Sequence, residues 1–330
     1  MSRKDGARRI AGVVCFVCAV LNLALYSEAA SDRDFPVRPI EVVVPAAPGG
    51  GNDLLARLLS EVIEPILGQK LIVVNKPGGS GTVGAADIAR ARPDGYKLGL
   101  AYNSSHTMSN VVSSVPYTID DFTYIALLTS GPHIFAARSD SPFTNAAEFF
   151  EYARNNPGKL TYGSDGVGAI GHFSSEKLFK AMNVKLRPIP YAGGGEIVKA
   201  LLGGHVDTGS LGAPPAFSQI KAGTLKAFFV TTRERSPELP NIPGVSDLGH
   251  PTAETSLWRG IVGPKGIPED RVRILEKAFL EAGKIDKIVS TFRALGDTTV
   301  SYTGKQFENV VRSEFAANSI LAKELGLVKR

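Results

Sequence analysis

One transition recurs along this chain and restricts its fold more than any other feature. A short apolar run gives way to a glycine-rich turn, and the turn opens a stretch with apolar residues at helical spacing. Ile40–Val44 is such a run, broken only by Glu41; the loop Pro45–Gly51 follows, then Leu54, Leu55, Leu58, Leu59, Val62 and Ile63 fall on one helical face. Asn52 or Asp53 is the expected N-cap, and Pro65 ends or kinks that helix. Leu71–Asn75, a second glycine-rich turn, a helix across Ala85–Ala91 and the run Lys97–Asn103 complete a βαβαβ unit. Such a unit predicts a parallel sheet with helices on both faces.

A second unit of the same kind starts after Ser139. Helix Asn145–Asn155, strand Leu160–Tyr162, helix Phe173–Met182, strand Arg187–Tyr191, helix Glu196–Leu202, strand Val206–Leu211, a helix near Ala216–Ala222 and strand Leu225–Thr231 follow in turn. Beyond Trp258–Val262 the chain reads as helical, over Glu269–Ala282, Ile285–Leu295 and Gly304–Leu325. A tail without strands of its own must pack on a sheet built earlier, and the first is the natural host. The expected division is therefore a discontinuous lobe 1, residues 36–137 with 257–330, and a lobe 2, residues 138–256. The chain would cross between them near His133–Arg138 and again between Phe228 and Trp258.

The first thirty residues read differently. Arg3, Lys4, Arg8 and Arg9 precede the apolar run Ile10–Leu25, broken only by Asn22, and Ser27-Glu28-Ala29 places small residues where a signal peptidase reads them. Export with cleavage near Ala29 is the expectation; a retained anchor is the alternative, since the run is nearly long enough to span a bilayer. The twin arginine at Arg8-Arg9 leaves the export route open. Cys15 and Cys18, the chain's two cysteines, fall in this segment. The remainder thus has no thiol for a disulfide, a zinc site or a nucleophile. Its charge, +3 once the segment's four basic and two acidic residues are set aside, is spread without a basic cluster. No nucleic-acid partner is expected from such a distribution.

The glycine-rich turns are the candidate site. They are Pro48–Asp53, Pro77–Thr82, Gly166–Gly171 and Gly193–Gly195. Each follows an expected strand and opens an expected helix, so backbone N–H groups and about half a positive charge face whatever enters. Gly79, Gly81 and Gly84, and likewise Gly166, Gly168 and Gly171, match the GxGxxG spacing of dinucleotide sites. The acidic residue that should end the next strand is missing after both. No GxSxG or HExxH is present, and the five histidines lack metal-ligand spacing, so neither metal nor cofactor is expected. Ser105 beside His106 is the one pair readable as nucleophile and base, the basis of a serine-hydrolase alternative. Asp207 is either a turn anchor or an acceptor for a ligand-bound water.

At these loops the chain resembles the Bug-type periplasmic receptors of tripartite tricarboxylate transporters. The resemblance runs through Arg38-Pro39-Ile40, Val44-Pro45-Ala46-Ala47-Pro48-Gly49-Gly50, Asp53 to Ala56-Arg57, Leu67-Gly68-Gln69, Val74-Asn75-Lys76-Pro77-Gly78-Gly79, Gly81–Ala85, Pro93–Tyr96, Tyr162-Gly163-Ser164, Gly166-Val167-Gly168, His172, Pro190-Tyr191 and Leu202–Asp207. It implies a two-lobed, flytrap-like α/β receptor without catalytic activity, expected as a monomer. Such a receptor closes on a small organic acid or amino acid and presents it to the membrane permease subunits of the transporter, or acts as a sensor on a membrane regulator. Carried over, Ala46, Ala47, Gly50, Gly51, Asn52 and Asp53 would form one jaw. Ser164, Gly166, Gly168, Ala169, Tyr191, Ala192, Gly193 and Gly194 would form the other, with Asp207 behind it. Two positions depart from the family's pattern: Asn52 stands where Thr or Ser is common, and Ala169 where Ser is common. The missing hydroxyl removes a donor that would be worth ~1.5–3 kcal/mol to a charged group.

Overall fold

The computed structural model describes residues 35–328, so the export segment expected above lies outside the described residues. Residues 1–37 and 38–330 form two separate units. Phe35–Val37, the described part of the first, carry no helix or strand.

The second unit is α/β. Its strands are β1 (Ile40–Val44), β2 (Leu71–Asn75), β3 (Lys97–Tyr102), β4 (Phe122–Arg138), β5 (Thr161–Ser164), β6 (Arg187–Pro190), β7 (Thr208–Gly212), β8 (Leu225–Val230), β9 (Ser256–Pro264) and β10 (Thr298–Thr303). Its main helices are α1 (Gly51–Val62), α2 (Thr82–Ala89), α3 (Ala146–Asn155), α4 (Ile170–Ala181), α5 (Gly194–Leu202), α6 (Ala213–Lys221), α7 (Glu269–Ala282), α8 (Asp286–Ala294) and α9 (Gly304–Glu324). The sheet runs β2-β1-β3-β9-β4-β7-β5-β6, with β8 and β10 also paired to β4. Pairing is parallel within β2-β1-β3 and within β7-β5-β6, and antiparallel wherever β4 or β9 takes part. The βαβαβ pattern thus gave three parallel strands correctly, but the sheet as a whole is mixed.

Strand β4 holds the two halves of the sheet together. Up to Pro132, opposite Ser256, it pairs with β9; from His133, opposite Gly212, it pairs with β7 and β8. No such 17-residue strand is legible in the sequence, because Gly131-Pro132 interrupts the apolar runs on either side like a turn. A proline lacks the N–H that a ladder needs, and it falls where the partners change.

The tail differs from expectation too. Beyond β9 it is not wholly helical: Thr298–Thr303 forms β10, an edge strand paired antiparallel with β4 across a register shift. Its sequence, TTVSYT, is polar and only partly buried, so it shows no core-facing alternation. Helix α9 packs on the first half, where Phe307 and Val311 join Val43, Ile88, Trp258 and Val262 in one buried cluster. The half-buried Glu314 of α9 accepts hydrogen bonds from Asn103 Nδ2 (2.8 Å), Thr107 Oγ1 (2.7 Å) and Trp258 Nε1. Burial, opposed by these donors, raises its carboxyl pKa.

The second half has an aromatic core on one face. Phe135 stacks on Phe229 at 4.8 Å and meets Phe179 edge-on at 5.4 Å. Burying each ring contributes ~1.5–3 kcal/mol. The opposite face is mainly aliphatic, from Ile134, Ile197, Leu201, Leu211 and Val230.

Candidate functional site

The parallel strands carry the glycine-rich loops at their C-terminal ends, where open α/β sheets bind ligands. The loop after β1 is held from behind. Asn75 Nδ2 donates to Ala46 O (3.1 Å) and to Asp53 Oδ1 (3.0 Å), while Asp53 Oδ2 accepts from Gly49 N and Arg57 Nε, both at 2.9 Å. Burial opposes ionisation of Asp53, but the donors from Arg57, Gly49 and Asn75 outweigh it and hold the carboxyl below its ordinary pKa. Neither Asn52 nor Asp53 is the N-cap. Gly50 is, and it offers no side-chain cap, because both expected side chains are engaged elsewhere. The first-turn N–H groups of α1 are left without intrahelical acceptors.

Asn52 is engaged by a residue that the sequence reading did not single out. Arg259, in the middle of β9 and 2% exposed, donates from Nε to Asn52 Oδ1 (3.0 Å) and from Nη1 to Thr129 Oγ1 (3.3 Å) and Asp297. A Cβ on Gly51 would stand 2.9 Å from Arg259 Nη2. That nitrogen hydrogen-bonds to none of the described residues, so the first turn of α1 and one edge of a guanidinium lie side by side. A charged residue inside the apolar run Leu257–Val262 was the available signal.

The loop after β5 is built otherwise. Gly166 and Gly168 have φ of 122° and 75°, in the left-handed region that favours glycine. Ser164 is buried, and its hydroxyl has no partner among the described residues. Gly168 N donates to His172 Nδ1 (2.9 Å), so His172 braces the start of α4. Ala169 is the N-cap and supplies no side-chain bond. Ile170 N donates instead to Ser104 Oγ (3.0 Å), in the π-type turn Ser104–Met108 after β3. Gly171 N donates to Asp165 Oδ1 (2.9 Å). Burial pushes the Asp165 carboxyl up to about 6, with the Gly171 N–H opposing. Beside this loop, Tyr191 N donates to Ser164 O (2.8 Å), Glu196 Oε2 accepts from Ala192 N (3.0 Å), and Gly193 caps α5 without a side chain.

The two sides meet. A Cβ on Gly166 would stand 2.8 Å from Ser80 Oγ, and Tyr102 OH ties Pro45 O (2.9 Å) and Ser80 O (3.3 Å) together. Between them lies His133, where β4 changes partners. Its Nδ1 is 3.2 Å from Ser210 Oγ and its Nε2 has no partner among the described residues. Burial, with help from the Arg259 charge, pushes its pKa down to about 3, so the ring is neutral.

Two sequence-based candidates lie apart from this gathering. Asp207, exposed at the start of β7, accepts from Thr161 N and Thr161 Oγ1, both at 2.8 Å. That is the opposite end of β5 from Ser164, and there the carboxylate anchors a turn. Ser105 and His106 are adjacent, with Oγ to Nδ1 at 2.9 Å, but both are fully buried. Ser105 Oγ also donates to Tyr102 O (3.1 Å), and burial lowers the His106 pKa to about 3. An attacking hydroxyl must be reachable and its base close to neutral, so this pair is structural as it stands. Among the described residues no group of His, Cys, Asp and Glu is placed to hold a metal, and no helix is long and apolar enough to cross a membrane.

Residues 55–327 match the tripartite tricarboxylate transporter family receptor, TctC. The periplasmic binding protein BugD superposes with a TM-score of 0.82 at 33% identity, covering 90% of this chain and 100% of its own. MatC of Rhodopseudomonas palustris, with bound malate, gives 0.80 at 29% identity, covering 87% and 99%. Rpa4515 of R. palustris, with adipate, gives 0.83 at 28%, covering 89% and 99%. The fold is that of periplasmic binding proteins, and the chain belongs to the Bug-type solute-binding receptors of the tripartite tricarboxylate transporter family.

Proposed function

We propose that the protein is exported to the periplasm, its N-terminal segment removed near Ala29, and there captures a small carboxylate-bearing solute and presents it to the permease subunits of a tripartite transporter. The two halves of the sheet, extended to residues 36–137 with 257–330 and to residues 138–256, are the lobes that close. Pro132-His133 and the Thr231–Thr255 crossing, where Thr231 Oγ1 donates to Thr255 O at 2.7 Å, serve as the hinge. The solute lies between Ala46–Asn52 on one side and Ser164, Gly166, Gly168, Ala169 and Tyr191–Gly194 on the other. Asp53 holds the first loop in shape, and Asp207 has no part in binding.

One observation carries this reading: helix α1 starts at Gly50, in the loop after β1, with no side-chain cap, whereas in α4 Ile170 N and Gly171 N are taken up by Ser104 Oγ and Asp165 Oδ1. Of the other helices, α3 and α9 start with side-chain caps from Asn145 and Thr303, and α7 and α8 do not. The uncapped first turn of α1 favours an anion. The malate and adipate bound by two relatives support a small organic acid. Thermal unfolding against millimolar carboxylates, aromatic acids and amino acids tests it. A solute at about 100 times its dissociation constant stabilises by ~2.7 kcal/mol, or several degrees for a chain of this size. A response confined to one chemical group supports the receptor, and a flat response across the panel counts against it.

A further inference from the structure

We propose that the cleft selects a zwitterion: the solute carries an ammonium group received by Asp165, in the loop after β5, besides a carboxylate held by the first turn of α1 and Arg259 Nη2. This inference rests on the receptor reading above and assigns the chemical class of its solute.

The two ends of the site differ in charge. At one end, Arg259 Nη2 sits by Gly51, and a solute carboxylate there meets a guanidinium edge and free N–H groups. Asp297 already balances the guanidinium charge, so a single carboxylate, not two, suits that end. At the other end stands Asp165, whose carboxylate accepts from Gly171 N at 2.9 Å and from its own backbone N–H. Among the described residues no Lys, Arg or His pairs with it. A second solute carboxylate placed there would face it directly, and like charges in a poorly solvated site repel strongly. An ammonium group would supply the missing countercharge and up to three donors.

A second observation points to the same place. Ser164 Oγ and His133 Nε2 are both buried without partners, their residues 1% and 3% exposed. Ser164 adjoins Asp165 in sequence. A Cβ on Gly171 would stand 2.5 Å from Asp165 Oδ1 and 3.4 Å from His133 Cε1, so the carboxylate and the imidazole flank one position. Buried polar atoms without partners are uncommon in native proteins and mark where a ligand or a water belongs. A serine oxygen accepts from an ammonium, and a neutral imidazole nitrogen does so in the tautomer that leaves Nε2 unprotonated. The arrangement runs from a cation at Arg259, past a neutral histidine, to an anion at Asp165.

Capping of α4 is the competing role for Asp165, since its Oδ1 accepts from Gly171 N. Asp165→Asn separates the two roles because the amide oxygen can still cap while the charge is gone. The experiment is calorimetric titration of the protein, secreted under its own N-terminal segment, with solute pairs that differ by an ammonium group: aspartate and succinate, glutamate and glutarate, 6-aminohexanoate and adipate. The amino member of at least one pair should bind about tenfold tighter or more. Asp165→Asn should bring that ratio within about threefold without lowering the unfolding midpoint of the solute-free protein. Asp165→Ser, which keeps a side-chain oxygen able to accept a hydrogen bond, serves if the amide variant does not fold. Tighter binding of succinate, glutarate or adipate than of their partners overturns the inference and leaves the receptor standing. An unchanged ratio in the variants confines Asp165 to capping and overturns it too. No binding by any member of any pair counts against the receptor reading itself, and this inference fails with it.

Discussion

The loops after β1 and β5 look alike in sequence, each glycine-rich, each opening a helix, each containing an aspartate. Their aspartates are used in opposite ways. Asp53 is turned inward on Gly49, Asn75 and Arg57, and its carboxyl is held below the ordinary range. Asp165 has a single backbone donor from another residue and no cation, and burial raises its carboxyl to about 6. In the proposed receptor, glycine content sets where the backbone can approach a solute, whereas the partners of the neighbouring acid set which charge that solute can bring.

The comparison is most easily broken at the base of the first loop. Asp297→Ala leaves the Arg259 guanidinium buried without a counter-charge, and removing one member of such a pair costs ~3–5 kcal/mol. Denaturant unfolding should show that loss, together with weaker solute binding, because Arg259 also positions Asn52. A loss below ~1 kcal/mol would mean that the pair is solvated and the first loop is not organised by Arg259.

Ionisation sharpens the contrast. A carboxyl raised from an ordinary value near 3.8 to about 6 binds its proton more tightly in the folded state. Its contribution is therefore complete below about pH 4 and lost as pH rises through 6. Asp53 behaves inversely, stabilising above its ordinary pKa and losing that contribution as pH falls below it. Asp165→Asn should consequently gain on the parent by on the order of 2 kcal/mol between pH 4 and 7, read as a difference in unfolding free energy at each pH. Taking the difference cancels the buried His106 and His133, which cost both proteins stability in acid. A gap independent of pH would place Asp165 in contact with solvent or with a cation.

Smaller effects follow at the second loop and away from the cleft. Gly168→Ala strains a left-handed residue by ~1–2 kcal/mol, and its methyl would stand 2.3 Å from Val112 Cγ2. Solute affinity should fall with stability, and an unaltered dissociation constant would remove this loop from the site. Asp207→Asn is the control, with a stability loss of ~0.5–1.5 kcal/mol and unchanged binding by titration calorimetry. Weakened binding would restore Asp207 to the site.

The local periodic pattern made much of this arrangement legible. The parallel strands, the helices after them and the loops at the cleft all leave short-range signatures, and Gly166, Gly168 and His172 stand where the sequence pointed. What escaped reading depends on contacts distant in sequence. Strand β4 contains Gly131-Pro132 and is recognisable only through partners more than 70 residues away. Strand β10 is polar because it lies on an edge. Arg259 takes its meaning from Asn52, 207 residues earlier, and from Asp297. The same network gives a physical reason for Asn52 where the family commonly has Thr or Ser: its amide oxygen receives the buried guanidinium. The carboxylate of Asp207 could be recognised in the sequence, but the end of the strand on which it acts could not.

A crystal structure of the protein with the tightest-binding member of the three solute pairs tests the account most directly. It should show one solute between the two loops, its carboxylate on the N–H groups of Gly50–Asn52 with Arg259 Nη2 nearby, and its ammonium within hydrogen-bond distance of Asp165. A solute bound to only one of the loops, or one presenting a carboxylate to Asp165, would contradict it.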